Sequence, residues 1–138
     1  MLKAVEVFER PVGSLSERVA MVRVDDTTFE AEVIRSSLPV VVDFYADWCA
    51  PCRVIEPTLR ELATRLSGRV KFAQVNVDEA EVVTRSFGIH AIPTYVFVES
   101  GTEKGREVGA LDPVAFRAVL KRYFSKGTGP SGGTPASP

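Results

Sequence analysis

Cys49 and Cys52 are the only cysteines in this 138-residue chain, and they stand three apart in DWCAPCR (47–53), beside its only tryptophan, Trp48. Two thiols at that spacing suit half of a metal site, a structural staple or a working redox couple. A closed tetrahedral metal site takes four ligands, and beyond this pair the chain offers a single histidine, His90. A staple closing so small a ring constrains little of the unfolded chain. A redox couple needs one sulfur held as thiolate and a second within reach to close the disulfide. What surrounds the pair decides between them.

The flanking elements are legible from periodicity. PVVVDFY (39–45) is a continuous apolar run rich in β-branched residues, the mark of a strand buried on both faces. Ile55, Leu59, Leu62, Ala63 and Leu66 then recur at helical spacing until Gly68. Pro57 lies inside that run and is expected to kink the helix rather than end it. MVRV (21–24) reads as a short strand, followed by a helix capped by Asp26 or Thr27 with Glu30, carrying Phe29, Val33 and Ile34 inward. VKFAQVNVD (70–78) is a further strand, and residues 79–87 form a short helix. TYVFV (94–98) and REVGA (106–110) flank Ser100-Gly101 as an antiparallel pair. A last helix opens with Asp112 as N-cap and Pro113 in its first turn, and Phe116, Val119, Leu120, Tyr123 and Phe124 form its core stripe. The order βαβαβαββα describes an α/β domain of three layers, with a mixed central sheet flanked by helices.

This order sets the cysteines just past the C-terminal end of the most buried strand, where sites of open α/β sheets gather. They also open a helix, whose unsatisfied N–H groups and positive partial charge favour thiolate over thiol. Cys49, on the loop side, is expected to be the exposed and activated sulfur. Cys52, one turn in and on the same face, is placed to resolve the mixed disulfide that Cys49 forms. Pro51 pre-sets a helical φ between them, and Arg53 adds positive charge.

Composition excludes several alternatives. At 45% hydrophobic and 25% charged residues the chain reads as an ordinary globular domain, and a net charge of −1 gives no reason to expect nucleic acid or an anionic membrane as partner. No apolar run approaches a membrane span, and the first twenty residues, broken by Glu6, Glu9, Arg10 and Pro11, lack the apolar core of an export signal. Two cysteines are too few for a secreted disulfide framework, so a cytoplasmic protein is expected. Residues 1–20, with a short strand at AVEVF, read as an extension before a domain at 21–125. Residues 126–138 read as a disordered Gly/Pro/Ser-rich tail.

WCAPC after VVVDFYAD, IPT at 92–94 ahead of a strand and VGAL at 108–111 resemble the thioredoxin family over roughly residues 21–125. The resemblance implies the thioredoxin fold and a protein-disulfide reductant, with Cys49 as nucleophile, Cys52 as resolving thiol and Asp43 as the buried group that takes the Cys52 proton. It implies that Pro93 is a cis-proline facing the cysteines, with an extended substrate segment lying against Trp48, Ala50, Pro51, Ile92, Pro93 and Thr94. Gly109 belongs to the same surface, where a bulkier residue is expected to crowd the partner. The implied partners are a thioredoxin reductase-like electron donor and oxidised proteins such as peroxidases and reductases. The implied protein is a monomer needing no cofactor and no metal. Two positions depart from the family pattern. Ala50 replaces the usual glycine between the cysteines, and Gln74 stands where a lysine usually accompanies the buried aspartate, which is expected to raise the Asp43 pKa beyond the effect of burial or to reroute the proton through water. Two other classes fit less well. Dithiol oxidants and isomerases of this kind usually carry a histidine between the cysteines, and none is here. A pure binding module leaves the combination of WCAPC, Asp43 and Pro93 unexplained.

Overall fold

The protein is described by a computed structural model over residues 21–124. The expected strand at AVEVF, the extension 1–20 and the tail beyond residue 124 lie outside the described residues. Five strands form one sheet: β1 (Met21–Val24), β2 (Val40–Tyr45), β3 (Lys71–Asn76), β4 (Thr94–Glu99) and β5 (Thr102–Val108), in the order β1-β3-β2-β4-β5. The first three run parallel, β4 is antiparallel to β2 and β5 antiparallel to β4, so the sheet is mixed as the pattern implied. Central β2 is buried along its whole length, which is why its sequence is apolar without alternation. Three helices accompany the sheet: α1 (Ala50–Arg65), α2 (Glu81–Ser86) and α3 (Pro113–Phe124).

Alternation along the strands divides the core in two. Val41, Phe72, Tyr95 and Phe97 meet Ile55, Leu59 and Leu62 of α1 and Phe116, Val119 and Leu120 of α3. On the opposite face Val40, Val42, Phe44, Ala73, Val75 and Val96 pack on Phe29, Val33, Ala80 and Val83. The three-layer arrangement follows, with α1 continuous through Pro57.

One expected helix differs. Residues 30–34 form a single π-helical turn, closed by the Arg35 N–H on the Glu30 carbonyl at 2.9 Å, and Phe29 at its start provides no side-chain cap. Neither Asp26 nor Thr27 caps it. Asp25 organises the approach instead, its Oδ1 accepting from the Thr27 and Thr28 N–H groups at 3.0 and 3.2 Å. Asp26 caps a distant helix, accepting from the Val82 and Val83 N–H groups at the start of α2 at 3.2 and 2.8 Å. The hairpin turn has Ser100 at φ 54° and Gly101 at φ 77°, the doubly left-handed turn that suits the twist of paired strands.

Gly105 on β5 is where α3 docks. A Cβ there would overlap the Tyr123 ring, which packs on Phe97 and donates its hydroxyl to Glu107 at 3.0 Å. Gly105→Ala is therefore expected to destabilise the domain by about 1–3 kcal/mol, read from denaturant midpoints, because the ring must leave its seat. A wild-type midpoint would show that Tyr123 does not hold α3.

Candidate active site

Cys49 and Cys52 form a disulfide across the start of α1, with Cα atoms 5.3 Å apart. The local sequence dictates this placement. β2 ends at Tyr45, the Cys49 N–H bonds the Ala46 carbonyl at 3.2 Å to close the turn, and Pro51 fits the first helical turn because its missing N–H would have no intrahelical acceptor there. Cys49 is itself the N-cap, its Sγ accepting from the Cys52 N–H at 3.2 Å. A sulfur in that position is stabilised as thiolate by a donor aimed at it and by the helix terminus. Arg53 donates from Nη1 to the Asp47 carbonyl at 3.2 Å, tying its guanidinium back across the loop.

The exposure expected of Cys49 is not observed. In the disulfide form Cys49 is 4% and Cys52 5% exposed, and both pack with Tyr45, Ala46, Val77 and Ile92. Residues from neighbouring loops cover the Cys49 sulfur, an outcome that helix position alone does not convey. Trp48 is the exposed member, 69% accessible, and is steadied by its Nε1 donating to Asp78 Oδ2 at 2.8 Å. Asp78 is held in turn by its N–H on Asn76 Oδ1 at 2.8 Å. Sequence reading missed Asn76 and Asp78; Asp78 stands thirty residues from Trp48 and meets it only because β3 lies beside β2.

The Ile92–Pro93 peptide is cis, and the Ile92 side chain packs on the cysteine cluster. Thr94 is buried and donates its hydroxyl to the Ala91 carbonyl at 2.6 Å, closing the loop before β4. Gly109 N–H bonds the Pro93 carbonyl at 2.8 Å, so the two loops are one structure. A Cβ on Gly109 would meet nothing within 4 Å among the described residues, and its φ of +98° is what requires glycine. Ala50 and His90 are exposed.

Asp43 is 4% exposed on the sheet face that carries Val41 and Tyr45. Val41 packs among Ile55 and Leu59 of α1 and Tyr45 beside the cysteines, so the carboxyl between them points at the first turns of α1. Gln74 lies directly opposite on β3. Burial raises the Asp43 pKa to about 7, the Gln74 amide opposes that rise by hydrogen bonding, and the nearby Glu56 charge adds to it. Among the described residues no group of three or more His, Cys, Asp or Glu side chains is placed to hold a metal ion.

A closed Cys-x-x-Cys ring at a helix start, backed by a buried carboxyl and a cis-proline loop, defines a dithiol–disulfide oxidoreductase. The sequence profile described as Thioredoxin matches residues 20–122. The chain is 38% identical over 105 residues to Thioredoxin 1 of Nostoc sp., covering 76% of this chain and 98% of that relative. It is likewise 38% identical over 104 residues to the thioredoxin of Haemophilus influenzae, covering 75% and 97%, and 42% identical over 86 residues to that of Rickettsia bellii, covering 62% and 82%. This chain belongs to the thioredoxin family. It is a protein-disulfide oxidoreductase that works by dithiol–disulfide exchange as a reductant.

Proposed function

We propose that this protein is a cytoplasmic electron carrier that keeps protein thiols reduced, with Cys49 as the attacking sulfur, Cys52 as the resolving one and Asp43 as acceptor of the Cys52 proton. The N-cap position of Cys49 supports its role, since the Cys52 N–H favours negative charge on that sulfur and not on its own. The Cys49 thiolate attacks a substrate disulfide and forms a mixed disulfide, releasing one substrate thiolate. Cys52 then loses its proton to Asp43 and attacks the Cys49 sulfur, releasing the second substrate thiolate and leaving the pair oxidised. Two electrons pass to the substrate, and a thioredoxin reductase-like donor restores them.

The substrate segment lies, on this reading, over Trp48, Ala50, Pro51, Ile92, Pro93, Thr94 and Gly109, and the oxidised proteins served include peroxidases and reductases. The protein acts as a monomer. No helix among the described residues is long and apolar enough to cross a membrane.

The N-capped Cys49 within a single closed disulfide is the observation that carries this reading. Its test is the reduction potential of the pair, followed through Trp48 fluorescence in dithiothreitol and glutathione buffers. Reduction by dithiothreitol alone is expected, placing the couple near −270 mV or below, beyond what glutathione buffers reach. A midpoint within ordinary glutathione buffers would assign the protein to oxidation or isomerisation instead.

A further inference from the structure

Asp43 does not stand alone in its row. On the strand pairing, Gln74 of β3 faces it from one side and Tyr95 of β4 from the other, so the three side chains cross the sheet in one line on one face. Tyr95 is fully buried, its ring edge-on to Phe116 of α3 at 5.1 Å. The Tyr95 hydroxyl has no hydrogen-bond partner among the described residues, and neither has Asp43 Oδ1. A phenylalanine would fill the same seat against Phe116 without burying an orphan hydroxyl, so the oxygen of Tyr95 calls for a polar role. Two orphan polar atoms, on adjacent strands at the same register and facing the same layer, are an arrangement that a buried water satisfies.

We infer that Tyr95 is a positioning residue for the working carboxyl: through one buried water its hydroxyl holds Asp43 Oδ1 and stabilises the ionised form. The inference rests on the reading of Asp43 as the proton acceptor of Cys52, and it adds how that carboxyl is poised. Gln74 serves one carboxylate oxygen, and Tyr95, through the water, serves the other. Burial, and then the charge of Asp43, push the Tyr95 hydroxyl above its ordinary value, so it keeps its proton and can donate it to the water. The remaining groups facing Asp43 are accounted for. Glu56 comes from α1, its carboxylate paired with Arg60 at 2.8 Å. Tyr45 follows on β2, raised mainly by its own burial. From β3 comes the uncharged Gln74, and the apolar Phe116 of α3 packs on Tyr95.

The test is a carbon-13 NMR titration of the Asp43 carboxyl in the oxidised full-length protein, wild type against Tyr95→Phe. Loss of a donor to the carboxylate raises its pKa, so the midpoint is expected to move up by about one pH unit while the fold is retained. In the wild type, the Tyr95 Cζ resonance is expected to shift with the Asp43 midpoint and to lose that response in Asp43→Asn. An unchanged or lowered midpoint in Tyr95→Phe overturns the inference. Should Tyr95→Phe fail to fold, a Tyr95 Cζ signal that stays flat through the Asp43 titration overturns it. Failure of the proton-acceptor reading would appear elsewhere, in the pH–rate profile of Asp43→Asn, and would leave the Tyr95-dependent midpoint shift in place.

Discussion

Cys49→Ser is expected to lose disulfide reduction entirely, whereas Cys52→Ser is expected to react once with each oxidised substrate and stop as a mixed disulfide. The asymmetry follows from the helix start. Cys49 is the N-cap and receives the Cys52 N–H at 3.2 Å, a contact that favours thiolate there, and serine, with its far higher pKa, forms no nucleophile at neutral pH. Cys52 sits inside the first turn, and in the proposed mechanism its thiol is required only for the second displacement, which breaks the bond between Cys49 and the substrate. Mass spectrometry of each variant after mixing with an oxidised protein checks this, alongside turnover with a thioredoxin reductase as donor. A trapped adduct on Cys49→Ser and none on Cys52→Ser would reverse the two roles.

Asp43→Asn is expected to make the oxidised protein more stable at alkaline pH while slowing its chemistry. The native pKa of Asp43 is raised to about 7 by burial, against about 3.9 in the unfolded chain. Between those values the native state binds the proton more tightly than the unfolded state does, so wild-type stability falls as pH rises through the window. Below about pH 4 both states are protonated and the variant gains little. Above about pH 7 the full difference applies, and the variant is expected to be more stable by at most about 4 kcal/mol. Denaturant unfolding at about pH 4 and about pH 9 measures this, and equal gains at both would mean that Asp43 is not held protonated by burial. Resolution by Cys52 should fall by about 100-fold in the same variant, the usual effect of removing a positioned base. A pH–rate profile identical to wild type would remove Asp43 from the mechanism.

These effects stem from residues of very different visibility. DWCAPCR announces itself, because a helix start, a two-residue gap and two thiols are all local features. The apolar run of β2 shows that Asp43 interrupts a buried strand, and IPT ahead of β4 marks the loop that meets the cysteines. Asp112 was equally legible: its Oδ1 accepts the Ala115 N–H at 2.7 Å, and Phe116, Val119 and Leu120 are buried along the stripe that their spacing describes. Asp26 was not, because the helix it caps lies more than fifty residues on and reaches it only through the packed fold. The burial of Cys49 escaped for a related reason. Helix position says that a sulfur lies at the first turn, but Ile92 and Val77, which cover it, arrive from two other loops.

By itself the sequence determined the redox pair, the helix that carries it, the alternation of helices and strands, and the family, since each depends on spacings within a few residues. Tertiary structure decided which side chains share a row. The strand order β1-β3-β2-β4-β5 sets Asp43 between Gln74 and Tyr95, and brings Asp78 to Trp48. Strand order and register are selected by how two apolar faces are covered at once, a condition on the whole chain that no single segment expresses.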